Sequence, residues 1–121
     1  MSADVWIGVA LLGSLGSIAR FLLDATISSR GWSSFPLGTL AVNASGAFVL
    51  GLLTGLALSG DALVLAGSAT IGSYTTFSTW MLETHRLGED GQSRGAALNV
   101  LVSVLVGFGA ALLGKWLGAV V

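Results

Sequence analysis

The sequence has no cysteine, one proline, one histidine and few charges: five Lys or Arg and six Asp or Glu among 121 residues. Without cysteine, disulfides and thiolate chemistry are excluded. The net charge of −1 does not provide the basic surface that a nucleic-acid-binding protein needs. The sequence contains no recognisable nucleophile–base pair or set of metal ligands. We therefore expect neither an enzyme, nor an organic cofactor, nor a nucleic-acid partner.

Apolar residues dominate instead. They make up 54% of the chain, and charged residues make up only 9%, whereas a soluble domain carries about 25% charged residues. A chain of this size cannot bury so much apolar surface in its own core. The composition therefore predicts an integral membrane protein.

The gaps between charged residues predict the number of membrane spans. A helix needs about 20 mostly apolar residues to cross the hydrocarbon core, and four segments qualify, at about residues 4–24, 37–58, 62–84 and 95–118. We predict an all-α protein with one four-helix transmembrane domain over residues 1–121. The 18 glycines favour close helix packing, and four helices enclose little space, so we expect a second subunit.

The third span contains the segment GSYTTFST at residues 72–79, in which six of the eight side chains carry hydroxyls. Such residues are mediocre helix formers, and their hydroxyls compete for backbone hydrogen bonds. We favour a helix broken near the membrane midplane, as in transporters that bind ions. An intact helix, with its hydroxyls bonded to the preceding turn, remains the alternative.

Polar stripes lie on two other spans, at the spacing of one helix face. They comprise Thr39, Asn43 and Gly46 on the second span, and Asn99, Ser103 and Gly107 on the fourth. Together with the hydroxyl-rich segment they predict a neutral pathway suited to a small anion. Asn43 alone could equally bond a neighbouring helix.

Phe77 and Trp80 lie three residues apart, and the edges of their rings could face an anion, although such a pair is also typical of core packing. Arg20 lies one turn inside the end of the first span. It either snorkels to the interface or attracts anions to a vestibule. Glu83 lies at the end of the third span. It is either a polar residue of the vestibule or of the fold, or a solvated boundary residue paired with Arg86.

Three motifs together resemble the CrcB/Fluc family of fluoride channels. They are GSIARF at 16–21, PLGTLAVN at 36–43 followed by Gly46, and GSYTTFST at 72–79 followed by Glu83. The order and spacing of the motifs agree over three spans, and the length and number of spans agree over the whole chain.

The resemblance implies passive export of fluoride from the cytoplasm of a microbe, through a multi-pass protein in contact with the lipid of its cell membrane. It implies an antiparallel, dual-topology dimer with a structural sodium ion at its centre, held by the backbone carbonyls of Gly72 and Thr75. Asn43, Phe77 and Trp80 match pore positions of the family. A polar track would continue through Thr79 and Ser103.

The chain departs from the family pattern at two positions. Trp80 stands where a phenylalanine is usual, so one pore ring is larger and carries an N–H donor. Ser73 replaces a glycine and could crowd the break.

The basic residues predict a preferred orientation in the membrane. Arg20, Arg30, Arg86 and Arg94 fall on one side, against Lys115 on the other, which by the positive-inside rule places both termini outside. The dimer is then either a homodimer or a heterodimer with an oppositely oriented homologue, as in some family members.

Two other functions remain open at this stage. A small multidrug exporter also has four helices, but it needs a carboxylate within the membrane, and the first span has none. A non-conducting membrane subunit would not require the hydroxyl-rich segment or the Asn43 stripe.

Overall fold

The computed structural model of the chain describes residues 1–30 and 34–121. Helices make up almost all of these residues. In chain order they are α1 (Ala3–Ser28), α2 (Leu37–Gly55), α3 (Gly60–Leu63), a π-helix (Val64–Ile71), α4 (Gly72–Tyr74), α5 (Ser78–Glu89) and α6 (Ser93–Val120).

Within the part of the chain that the structure describes, three helices are long and apolar enough to cross a membrane: α1, α2 and α6. Many large apolar side chains on these helices point outward, among them Phe21, Leu105 and Phe108. An outer surface of this kind suits lipid rather than water. The chain is therefore an all-helical, multi-pass membrane protein.

The second span ends earlier than hydropathy predicts, at Gly55 rather than residue 58. Ala57 has a left-handed backbone, with φ of 57°. Its N–H donates to the Thr54 carbonyl, and the Leu58 N–H donates to the Leu53 carbonyl. This is a Schellman termination, in which the chain turns away from the helix axis. The residues of the turn are apolar, so composition alone does not reveal it.

The third span consists of two helical parts. The π-helix is marked by bonds that reach back five residues, from the Gly72 N–H to Gly67 and from the Thr70 hydroxyl to Leu65. Helix α4 then ends, and Thr75 adopts an extended backbone with φ of −79° and ψ of 161°. Helix α5 begins at Ser78. The interruption falls inside the hydroxyl-rich segment 72–79.

Glycines allow α2 and α6 to pack backbone against backbone. A Cβ atom at any of four glycines would collide with a carbonyl oxygen of the other helix. The pairs are Gly51 with Ala111, Gly55 with Lys115, Gly114 with Phe48, and Gly118 with Leu52. Because lipid supplies no hydrophobic drive between helices, close contact of this kind is what holds them together.

Candidate functional site at the helix break

Asn43 on α2 supports the interrupted backbone directly. Its Nδ2 donates to the Thr76 carbonyl over 2.7 Å, and the Thr76 N–H donates to its Oδ1 over 2.8 Å. Unwound backbone inside a membrane needs such partners, because hydrocarbon offers none. Asn43 therefore bonds a neighbouring segment, as one sequence interpretation allowed, and that segment is the break itself.

Two carbonyls of the break are left free. The Ile71 carbonyl accepts the Thr75 N–H at 3.0 Å and the Thr75 hydroxyl at 3.1 Å. No donor within residues 1–30 and 34–121 bonds the carbonyl oxygens of Gly72 or Thr75. The end of a helical run carries negative partial charge, and free carbonyls of this kind coordinate sodium in membrane proteins. Gly72 and Thr75 thus fit an oxygen-liganded cation.

A groove of about 680 Å³ runs along the break between α2 and the third span. Its lining includes Asn43, Gly72, Thr75, Phe77 and Trp80. The Phe77 ring is 69% exposed and meets the Trp80 ring edge-on, with the centroids 5.7 Å apart and the planes at 85°. The predicted cation and aromatic positions therefore share one open groove.

A second, polar cavity of about 200 Å³ lies next to the break. Arg20, Thr39 and Thr79 line it together with Asp24, and Thr76 lines both this cavity and the groove. The Thr76 hydroxyl also accepts the Thr79 N–H at 3.2 Å. Sequence reasoning did not single out Thr76. Its place between the two helical halves is the signal that could have identified it.

Three predicted polar residues lie apart from the groove. Glu83 lines a third cavity of about 280 Å³ with Arg86, and Ser103 lines none of the three cavities. Thr39 is 2% exposed. Among the residues that the structure describes, Thr39 Oγ1, Glu83 Oε1 and Ser103 Oγ are buried without a hydrogen-bond partner.

Asn99, the first residue of the predicted stripe on α6, joins α6 to α5. It is 1% exposed, and its Nδ2 donates to Thr84 Oγ1 at 2.8 Å and to the Trp80 carbonyl at 3.4 Å. The Trp80 indole N–H donates to the Asn99 carbonyl at 3.1 Å. The stripe on α6 therefore does not converge on the groove.

Ser73, the second departure from the family pattern, turns toward α1. Its hydroxyl donates to the carbonyls of Ala69 at 2.7 Å and Thr70 at 3.0 Å. A Cβ at Gly16 would collide with this hydroxyl, so the missing side chain of Gly16 is what admits Ser73. The groove lining does not include Ser73.

Comparison with known proteins gives the family. A family described as CrcB-like protein, camphor resistance (CrcB), matches residues 7–115. A protein of Mycobacterium bovis named "Fluoride-specific ion channel FluC 2" is 53% identical over 120 residues, covering 99% of this chain and 95% of the relative. Its namesake in Mycolicibacterium paratuberculosis is 56% identical over 117 residues, covering 97% and 96%. "Fluoride-specific ion channel FluC 1" of Leifsonia xyli subsp. xyli is 46% identical over 123 residues, covering 98% and 89%. The chain belongs to the CrcB family.

Proposed function

We propose that the chain is a subunit of a fluoride-selective passive channel, which exports fluoride from the cytoplasm through the cell membrane of a microbe. The observation that carries the proposal is the groove at the helix break, where Asn43, Phe77 and Trp80 lie together. Relatives that cover nearly the whole chain are named fluoride-specific channels. We propose transport rather than catalysis for the same reason.

The proposed route is neutral at its narrow part and charged at its entrance. Arg20 draws anions toward the cavity beside the break. Helix α5 begins at Ser78, so the positive end of its dipole faces the break. The hydroxyls of Thr76 and Thr79, and the positive edge of the Phe77 ring, replace the water around the ion without trapping it.

The groove supports assembly with a second subunit. Phe77 is largely exposed, and the polar backbone of the break borders an open groove rather than a closed pore. Lipid is a poor environment for such groups. In the proposed antiparallel dimer the partner covers this side, and lipid contacts the outer faces of α1 and α6.

We further propose that the carbonyls of Gly72 and Thr75 hold a structural sodium ion at the dimer centre. Within residues 1–30 and 34–121, no donor bonds either carbonyl, and both lie at the negative end of the helical run 60–74. A bound sodium ion would supply a fixed positive charge that holds carbonyls of the two subunits together. Asn43 contributes by fixing Thr76, which follows directly on the second ligand.

The test is fluoride efflux from liposomes that contain the purified protein, followed with a fluoride electrode against a chloride control. Fast efflux of fluoride but not chloride is expected. A small multidrug-type exporter would instead require a proton gradient. A protein that releases no fluoride even together with a homologous, oppositely oriented partner would be a non-conducting subunit.

Two variants locate the route. Asn43→Ala removes both bonds to the break, and Phe77→Ile removes the aromatic edge. Each is expected to lower fluoride flux at least about tenfold, with the dimer intact on size-exclusion chromatography. Asn43→Ala does so because a lost buried hydrogen bond costs about 1–3 kcal/mol, and Phe77→Ile because the positive ring edge is lost. Thr26→Val is the control, because the Thr26 hydroxyl bonds only its own helix, at Leu22. Unchanged flux in both variants would remove these residues from the pore.

A further inference from the structure

The indole of Trp80 does not offer its N–H to the groove. That N–H donates to the backbone carbonyl of Asn99 on α6 at 3.1 Å. The ring nevertheless lines the groove and packs edge-on against Phe77. The polar end of the ring is therefore tied to α6, and carbon-bound hydrogens are what the ring presents to the groove.

The backbone that carries Trp80 is held by the same neighbours. The Trp80 carbonyl accepts the Thr84 hydroxyl at 2.8 Å and the Asn99 Nδ2 at 3.4 Å, and the same Nδ2 donates to Thr84 Oγ1 at 2.8 Å. Asn99 is 1% exposed. Breaking a network of this kind leaves buried polar groups without partners, which is costly in a low-dielectric interior.

From this geometry we propose that Asn99 and Thr84 are positioning residues for the Trp80 ring. They fix its orientation in the groove without lining the groove themselves. The consequence for transport is that the orientation of this ring sets the rate and selectivity of fluoride passage. This consequence rests on the proposed channel function. The placement of the N–H is independent of that function.

The first measurement needs no transport. In protein labelled with ¹⁵N-tryptophan, the indole N–H of Trp80 should exchange with deuterium far more slowly than that of Trp116, whose side chain is exposed. Asn99→Leu, which is similar in size, keeps the backbone carbonyl that accepts the indole N–H but removes both side-chain bonds that hold α5 against α6. Because that buried network fixes the indole against its acceptor, its loss should speed exchange at Trp80 at least about tenfold. Thr84→Val should do so by a smaller factor. Exchange at Trp80 that is as fast as at Trp116 would overturn the proposal.

The second measurement is a double-mutant cycle in liposomes. Asn99→Leu is expected to lower fluoride flux at least about fivefold and to reduce the fluoride-to-chloride flux ratio. In the Trp80→Phe background no indole N–H ties the ring to α6, so there is no indole orientation left for Asn99 to set. The same substitution should then change flux less than about twofold, because the effects of coupled residues are not additive. An equal loss in both backgrounds would make Asn99 a merely structural residue.

The two measurements separate the failures. Liposomes that release no fluoride, even when an oppositely oriented homologue is present, would count against the channel function, while slow exchange at Trp80 would still support the positioning role. If Asn99→Leu does not fold, Thr84→Val replaces it in both measurements. Thr26→Val is the matched control for Thr84→Val, since among the described residues the Thr26 hydroxyl bonds only its own helix, at Leu22.

Discussion

At the scale of single residues, the break is kept in place by one amide side chain. Asn43 presents a donor and an acceptor at once, and both are used on the backbone of Thr76. Neither a carboxylate nor an aliphatic side chain of similar size could do the same, because the first lacks the donor and the second lacks both groups. The residue is therefore essential for the shape of the break before any role in transport is considered.

Thr75 gives a second prediction at this scale. Its hydroxyl bonds the Ile71 carbonyl, which also accepts the Thr75 N–H, and only its own carbonyl is free for a cation. Thr75→Ala should therefore lower fluoride flux by no more than about tenfold, since one exposed or shared hydrogen bond is worth about 0.5–1.5 kcal/mol. Efflux and its dependence on sodium concentration check this. A loss above about a hundredfold would instead implicate the side chain.

The sequence predicts the break and places Asn43 on a polar helix face. It does not predict the hydrogen bonds that join Asn99, Thr84 and Trp80. Six hydroxyls in eight residues indicate the break, and helical periodicity places Asn43 on a polar face. The pairing of Asn99 with Thr84 and Trp80 depends on how α5 packs against α6. No local pattern encodes that packing, so the sequence does not show that Asn99 joins α6 to α5.

At the scale of helices, the glycine seam between α2 and α6 sets the frame. In Gly51–Gly55 and in Gly114–Gly118 the two glycines lie four residues apart, which places them on one helix face. Hydropathy predicts four spans, and the three described helices that are long and apolar enough to cross a membrane, α1, α2 and α6, lie in three of them. It could not give the early end of α2 or the π-helix, because both depend on backbone bonds rather than on composition.

A single methyl group tests the seam. In Gly114→Ala the new Cβ would collide with the Phe48 carbonyl, and overpacking against the backbone costs about 1–3 kcal/mol. The matched control is Gly109→Ala on the same helix, where nothing lies within 4 Å of the added atom. We expect a lower melting temperature in detergent for the first variant only. Equal melting temperatures would mean that α2 and α6 accommodate the added methyl group at no cost, and that their close backbone contact does not limit stability.

At the scale of the whole molecule, the distribution of basic residues argues for a partner. Arg20 borders the cavity beside the break, and Arg86 borders the separate cavity that Glu83 lines, so the fold itself could require them. Arg30 follows the end of α1, and Arg94 lies in the first turn of α6. Four arginines on one side against Lys115 on the other favour one insertion. Of the two dimers that the family resemblance allows, this bias favours a heterodimer with an oppositely inserted homologue.

Because the chain has no cysteine, single introduced cysteines report its orientation. Val121→Cys should react with a membrane-impermeant maleimide from outside the cell, and Asp90→Cys should not, since the biased insertion places the loop after α5 inside. Replacing Arg30 and Arg94 with glutamine should shift both reporters toward equal labelling, because two of the four arginines of the bias are then gone. If the unaltered chain labels equally at both positions, it inserts both ways and can form the antiparallel dimer alone. Strict one-sided labelling would instead mean that the groove of every copy must be covered by a different chain.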